Sequence, residues 1–350
     1  MLVTKQPVLR RFWYPVMPAA MLKDGPKPFR LLGEDIVLWL DAGGAPHAAE
    51  DRCCHRTAKL SPGWVDGDAL VCPYHGWAYD GTGACVRIPQ AKDPTRKVNF
   101  RISAYRAQLR YDHVWVALAE PLFGIPEFEE HDDPAYRTIP EFYDVWACAG
   151  LRVMENSFDW AHFSFVHRAT FGDQEHPDPA RSQIDEQPWG FTVRTVAPVV
   201  NRGLGKTVTG SDDAVTERRM TANWYMPFAR KLHIAYPSGV HHSIVTVATP
   251  IDDRHSQICQ WIYRNDSEEQ VKAADAVAFD AKVVAEDREI LEATDWDVPL
   301  DQNSGLEFHM PSDKPGLVMR RMLRDLLAAH GESEIRRDGP APAGRVAAAE

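Results

Sequence analysis

Residues 53–75 read CCHRTAKLSPGWVDGDALVCPYH. The two ends of this stretch are Cys53-Cys54-His55 and Cys72-Pro73-Tyr74-His75, each offering one thiol and one imidazole, with residues 56–71 between them. The intervening residues carry a fold signal of their own. Trp64-Val65 and the apolar run 69–72 flank Asp66-Gly67-Asp68, and Asp-Gly between such runs marks a tight β-hairpin. Each Cys-His pair is therefore expected on its own loop.

Two thiolates and two neutral imidazoles are the donor set of a Rieske [2Fe-2S] cluster, with sulfur on one iron and histidine nitrogen on the other. The exchange of two thiolates for imidazoles raises the potential to roughly −150 to +300 mV. Structural zinc also takes two Cys and two His, and it stands as the alternative. Zinc loops, however, usually pair Cys with Cys and His with His, whereas here each loop gives one of each. Pro73, Gly76 and Trp77 also match the loops of Rieske proteins. Cys53, His55, Cys72 and His75 are thus the expected cluster ligands, and Cys54, Cys85, Cys148 and Cys259 are expected as core or loop thiols.

Outward from the hairpin, residues 36–40 form an apolar run ended by Ala42-Gly43-Gly44. A strand pair brackets Asp80-Gly81-Thr82-Gly83, and residues 113–118 give a last strand before Glu120-Pro121. A first domain of residues 1–120 is expected. Beyond Tyr143 the pattern mixes a helix-like stretch at 155–166 with strands at 231–236, 243–249 and 257–264. A long helix then opens on the capping-box pattern Ser267-Glu268-Glu269-Gln270 and runs to about Glu292. A last amphipathic helix over 317–329 closes a second domain, 121–330. Residues 331–350, rich in Ala, Pro and Gly, read as a disordered tail.

Bulk properties narrow the function. The 350-residue chain, 44% hydrophobic, can bury two cores. Its formal net charge of −11 repels a phosphate backbone, and its basic residues form no run longer than Arg-Arg pairs, so nucleic acid is not an expected partner. Residues 1–20 lack the apolar core of a signal peptide, and no segment approaches a membrane span. Six cysteines, two of them adjacent, are too few for a disulfide scaffold, which makes a reducing, cytoplasmic setting the expectation.

A second constellation lies downstream. Residues 155–167, ENSFDWAHFSFVH, place His162 and His167 five apart in an aromatic segment. Taken alone, such histidines are as readily a hydrogen-bonded core pair as ligands. Two His plus one carboxylate, with open positions for O2, is the ligand set of non-haem Fe(II) oxygenases. On the long helix, Val277, Val284, Asp287 and Leu291 follow at spacings of seven, three and four, which puts Asp287 on the apolar face and turns Glu286, Arg288 and Glu289 elsewhere. A carboxylate facing a core needs a partner, and a metal would supply one. Asp280 shares that face as a rival, and a surface salt bridge is the plain alternative for either. Asp159, one turn before His162, is placed to accept the imidazole's other N–H.

With both constellations in view, the sequence resembles the Rieske non-haem iron aromatic-ring-hydroxylating oxygenases, alpha (terminal oxygenase) subunit, up to about residue 330. The likeness rests on Arg11-Phe12-Trp13-Tyr14-Pro15-Val16, the two Cys-His loops, the stretch from Asp159 through His162 to His167, and Ala285-Glu286-Asp287-Arg288. It implies an α+β fold, a small all-β Rieske domain followed by a helix-grip catalytic domain whose antiparallel sheet curves around a long C-terminal helix. It implies one [2Fe-2S] cluster and one mononuclear Fe(II) per subunit, with His162, His167 and Asp287 as the iron ligands. It further implies that Asp159 links the Rieske histidine of one subunit to the iron of its neighbour. The chain's length is similar to that of the short branch, whose members are N- and O-demethylases and hydroxylases that form homotrimers without a beta subunit. Whether Glu155, Asn156 or neither approaches the iron is left open by the sequence.

No flavin or nicotinamide fingerprint occurs, and Gly205-Lys206-Thr207 fails as a phosphate loop because position 200 is Val. A separate NAD(P)H-dependent reductase or a ferredoxin is the expected electron source. The implied activity is that of a terminal oxygenase, which uses O2 to hydroxylate or oxidatively demethylate a small organic substrate, aromatic or natural-product. Arene cis-dihydroxylation is the alternative, and a Rieske electron-transfer or binding protein without oxygen chemistry is the alternative of another class. Pocket candidates are Trp224, Met226, Phe228, His233, Tyr236, His241 and His242.

Overall fold

The structure, a computed structural model, describes residues 1–93 and 99–337. The chain folds as two compact units, one made of Pro7–Ile125 with Thr249–Asp252, the other of Met1–Gln6 with Pro126–Ala248 and Asp253–Glu350.

The smaller unit is all β. Its strands are β1 (Tyr14–Pro18), β2 (Lys27–Leu31), β3 (Glu34–Leu40), β4 (Pro46–Glu50), β5 (Trp64–Asp66), β6 (Ala69–Val71), β7 (Ala78–Tyr79), β8 (Cys85–Arg87), β9 (Ala104–Arg110) and β10 (His113–Ala117). Six of them form a sheet in the order β1-β10-β9-β4-β3-β2, and four form a second sheet, β5-β6-β7-β8. In β3 the run Ile36, Val37, Leu38 and Trp39 is buried without alternation, as expected where both faces are covered. The Asp-Gly hairpin is present: Asp66 pairs with Ala69 across a two-residue turn, and Gly67 takes φ +62°, a conformation that a side chain would strain. Cys53 and Cys72 belong to the buried cluster of Val37, Trp39, Leu60, Leu70 and Tyr79, so both loops are anchored in the core.

The larger unit is built on β11 (Arg137–Trp146), α1 (Gly150–Ser157), α2 (Phe163–Val166), β12 (Ser182–Gln187), β13 (Gly190–Val200), α3 (Leu204–Thr209), β14 (Val215–Tyr225), β15 (Ala229–Ala235), β16 (His241–Pro250), β17 (Ser256–Arg264), α4 (Ala273–Leu291) and α5 (Lys314–Ala329). Its sheet has seven strands in the order β11-β17-β16-β15-β14-β13-β12, and the long helix α4 packs against it through Ala276, beside Ile139 and Ile262. The α+β architecture with a long C-terminal helix is as expected. Among the described residues no helix is long and apolar enough to cross a membrane. None of the six cysteines is in a disulfide; Cys85, Cys148 and Cys259 are buried and Cys54 is exposed.

Three local expectations need correction. The helix-like stretch at 155–166 is broken. Ser157 Oγ donates back to the Val153 carbonyl at 2.7 Å, tight turns at Phe158 and Asp159 close α1, and Asp159 Oδ1 accepts from Ala161 N–H at 2.7 Å before α2 begins. The capping-box pattern makes an isolated turn, with Ser267 N–H donating to Gln270 Oε1 at 2.8 Å. The helix itself starts at Ala273, whose N–H is met by Glu268 Oε2 at 3.0 Å. The expected disordered tail is pinned over 332–337: Glu334 accepts from Leu300 N–H, and Arg336 and Arg337 pair with Asp297 and Asp295. The rest of that tail, 338–350, lies outside the described residues.

Candidate metal centres

The two Cys-His loops are built alike. Thr57 N–H donates to the Cys53 carbonyl and Gly76 N–H to the Cys72 carbonyl, so each loop curls back on its own cysteine. His55 and His75 approach edge to face with ring centroids 4.5 Å apart, and His55 stacks on Trp77 at 4.4 Å. The Nδ1 atoms of both histidines are buried without a hydrogen-bond partner, an arrangement that native proteins rarely keep unless something takes the lone pair. The Cys72 thiol is pushed up by burial, while backbone N–H groups of Tyr74 and His75 aim at its sulfur and favour thiolate. The Tyr79 hydroxyl lies 3.0 Å from Cys53 Sγ and 3.3 Å from Cys54 Sγ. Two sulfurs and two orphaned imidazole nitrogens are the donors a Rieske cluster needs, and they fit it.

In the larger unit, His162, His167 and Asp287 each offer a ligand atom within 4.8 Å of the other two. The two Nε2 atoms face each other at 3.1 Å, and Asp287 Oδ1 lies 3.5 Å from His162 Nε2 and 3.4 Å from His167 Nε2. His162 sits just before α2, His167 just after it, and Asp287 on α4. The turn carrying the histidines is tight: a Cβ on Gly172 would stand 2.1 Å from the Phe163 carbonyl oxygen, so only glycine permits it. Burial drives the His167 imidazole down to about 2, with His162 and Arg218 adding to the effect, so it is neutral and free to ligate. Burial also raises the Asp287 carboxyl, against the opposing pull of His162, the Asn156 amide and Arg230. A divalent cation satisfies all three, and the set fits iron.

Each imidazole turns its far nitrogen toward a carboxylate. His167 Nδ1 donates to Glu286 Oε2 at 2.9 Å, and Thr170 Oγ1 donates to the same oxygen at 2.8 Å. Glu286 was expected to point elsewhere; adjacency to Asp287 hid it, since helical spacing alone does not show a side chain reaching around the helix edge to a loop. Asp159 Oδ2 lies 3.6 Å from His162 Nδ1, beyond hydrogen-bond distance. Asn156, not Glu155, reaches the group, with Nδ2 donating to Asp287 Oδ1 at 3.0 Å. Glu155 turns instead to Arg320, accepting from Nη2 at 3.0 Å. The rival Asp280 is 3.0 Å from His242 and lies against Glu141, apart from the three-residue group.

A cavity with about 890 Å³ of atom-free space, part of it open to solvent, lies between the sheet and α4 and is lined by all three of these residues. Its walls are mainly apolar, including Val153, Trp160, Leu232, Ile234, Ile244 and Val283. Of the expected pocket residues only Tyr236 and His242 line it. Trp224 is committed to the core, with Nε1 donating to the Pro227 carbonyl; His233 is on the other face of β15, against Ser243; and Met226, Phe228 and His241 are also absent from the lining.

Residues 12–106 match the family described as Rieske [2Fe-2S] domain, and residues 146–329 match that described as Vanillate O-demethylase oxygenase C-terminal domain. The chain is similar to methylxanthine N1-demethylase of Pseudomonas putida, with 30% identity over 93% of this chain and 91% of the relative. It is also 30% identical to methylxanthine N3-demethylase of the same organism, over 91% of this chain and 89% of the other. A solved structure of the Pseudomonas putida CBB5 N1-demethylase NdmA with caffeine superposes with a TM-score of 0.79 at 28% identity, covering 94% of each chain.

Proposed function

The chain belongs to the Rieske non-haem iron oxygenases, and from that premise we propose that it is a homotrimeric monooxygenase acting on a methyl-bearing organic molecule. It is an oxidoreductase, a terminal oxygenase with a [2Fe-2S] cluster in its Rieske domain and mononuclear iron in its catalytic domain, and such oxygenases work with a reductase or ferredoxin. Cys53, His55, Cys72 and His75 hold the cluster, and His162, His167 and Asp287 hold the iron. A separate NAD(P)H-dependent reductase supplies the electrons. The observation that carries this reading is the convergence of His162, His167 and Asp287 on one point at the wall of an apolar cavity.

When bound, the cluster and the iron supply electron relay and the reduction of O2. The chain does the rest. Glu286 fixes the His167 tautomer so that Nε2 presents its lone pair, and Asn156 holds the Asp287 carboxylate from the side. The mainly apolar walls keep water from the reacting methyl group. Asp159, one-third exposed and 3.6 Å from His162 Nδ1, is the residue we assign to the link between a neighbouring subunit's Rieske histidine and the iron. For a methyl ether or N-methyl group the balance is simple: one O2, two electrons and two protons convert the methyl to hydroxymethyl and release water. The C–O or C–N bond then breaks to give formaldehyde and the demethylated product.

The N-demethylases it resembles make demethylation the leading reaction here. The test is a reconstituted assay with NADH and a reductase, reading O2 uptake and formaldehyde over a panel of N-methyl and O-methyl aromatics. One formaldehyde per O2 supports the proposal. A cis-diol product would replace it with dioxygenation, and substrate-independent electron transfer alone would remove oxygen chemistry.

A further inference from the structure

Arg218 lines the cavity from β14 and is only 5% exposed. Its guanidinium lies over the Phe171 ring at 4.1 Å and near the Tyr236 ring at 5.9 Å. Its Nε has no hydrogen-bond partner, and among the described residues no carboxylate lies within ion-pair distance of it. Phe171 in turn packs on His167 at 4.6 Å, which places this cation one ring away from the metal-binding group. Stacking on aromatic faces contributes to holding a guanidinium. It does not replace the counter-charge and hydrogen-bond acceptors that an enclosed cation has lost from water.

The cavity's other cation, Arg230, differs. Its Nη2 donates to Thr246 Oγ1 at 2.9 Å and Thr246 donates on to Gln260 at 2.7 Å; burial lowers its pKa to about 10, and Asp287 and Asp280 work against that loss. The Arg230 Nε is likewise unpartnered, but its Nη2 belongs to a polar row across β15, β16 and β17, with two carboxylates near it. Arg218 has only rings.

We propose that Arg218 anchors an anionic oxygen group of the substrate, so that the molecule oxidised here is an aromatic acid whose carboxylate docks on Arg218 and whose body lies in the apolar cavity. A neutral acceptor would satisfy the open N–H but leave the charge enclosed; a carboxylate does both. With its anion fixed at Arg218, a flat ring reaches along the wall toward His162 and His167, which sets which substituent is oxidised. This inference rests on the cavity being the oxygenase's substrate site.

The test measures binding to the holoenzyme by quenching of tryptophan fluorescence. The probes are 4-methoxybenzoate and 2-naphthoate, each against its neutral carboxamide, on wild type, Arg218→Met and Arg218→Lys. Iron, sulfide and the EPR signal of the cluster are recorded on the same samples. The expected result is that at least one acid binds about tenfold or more tightly than its amide. Arg218→Met erases the preference while leaving amide binding unchanged, and Arg218→Lys keeps part of it. Arg218→Met also melts no lower than wild type without ligand, because an apolar side chain replaces an enclosed charge. Equal affinity of acid and amide, binding of neither, or a preference that survives in Arg218→Met overturns the proposal. Loss of the cluster signal or of iron in wild type would instead count against the oxygenase reading.

Discussion

Replacing Glu286 by Ala tests how the iron site is held. In the structure Glu286 Oε2 accepts from His167 Nδ1 at 2.9 Å and from Thr170 Oγ1 at 2.8 Å. Removal leaves a buried Nδ1–H without an acceptor and frees the imidazole to rotate or to change tautomer, after which Nε2 no longer presents its lone pair toward Asp287. A hydrogen bond to a charged group is worth about 1.5–3 kcal/mol. Loss of such a partner typically weakens metal binding about 10- to 100-fold, or about 1.4–2.8 kcal/mol. The two scales agree. The assay is Fe(II) titration of anaerobic protein, its cluster intact, against a competing chelator. Glu286→Ala is expected to fall in that range and Glu286→Gln, whose amide oxygen still accepts from Nδ1–H, to lie between it and wild type. Wild-type iron affinity in Glu286→Ala would refute the claim that this carboxylate orients His167.

Asp287→Ala should lower iron from about three to about two per chain and leave the cluster signal unchanged, as read by metal analysis and EPR. Gly172→Ala should likewise lose mononuclear iron with the cluster retained, because its Cβ would stand 2.1 Å from the Phe163 carbonyl oxygen and displace the turn between the histidines. Asp159→Asn should keep both metals but lose turnover, and wild-type activity would remove its bridging role. Glu130 gives a pH prediction: burial works against its charge, but His233 and Lys231 hold its carboxyl down to about 2. Its folded value is depressed, so its contribution is full above the unfolded value near 4.5 and is lost as pH falls toward 2, up to about 3 kcal/mol. Denaturation of wild type and Glu130→Gln should therefore differ most near neutral pH and converge at acid pH.

The placing of each Cys-His pair on its own loop was legible because the pairs recur at short spacing and the Asp-Gly turn announces the hairpin between them. The approach of Asp287 to the two histidines was legible because its helix face is apolar. The break between α1 and α2 was not: Ser157 and Asp159 form local side-chain to backbone bonds that periodicity does not register. The pocket was read poorly because one residue's shift along a strand changes the face. On β15, Leu232 and Ile234 look into the cavity while His233 looks away to Ser243. Arg218 had no sequence signal at all, since only the fold shows an arginine enclosed by rings rather than facing water.

The central claim is that one chain carries a cluster on Cys53, His55, Cys72 and His75 and an iron on His162, His167 and Asp287. Low-temperature EPR of anaerobically purified, dithionite-reduced protein, with iron and acid-labile sulfide quantified on the same sample, tests it most directly. The account predicts a Rieske-type signal with about three irons and two sulfides per chain. An EPR-silent protein carrying zinc would contradict it.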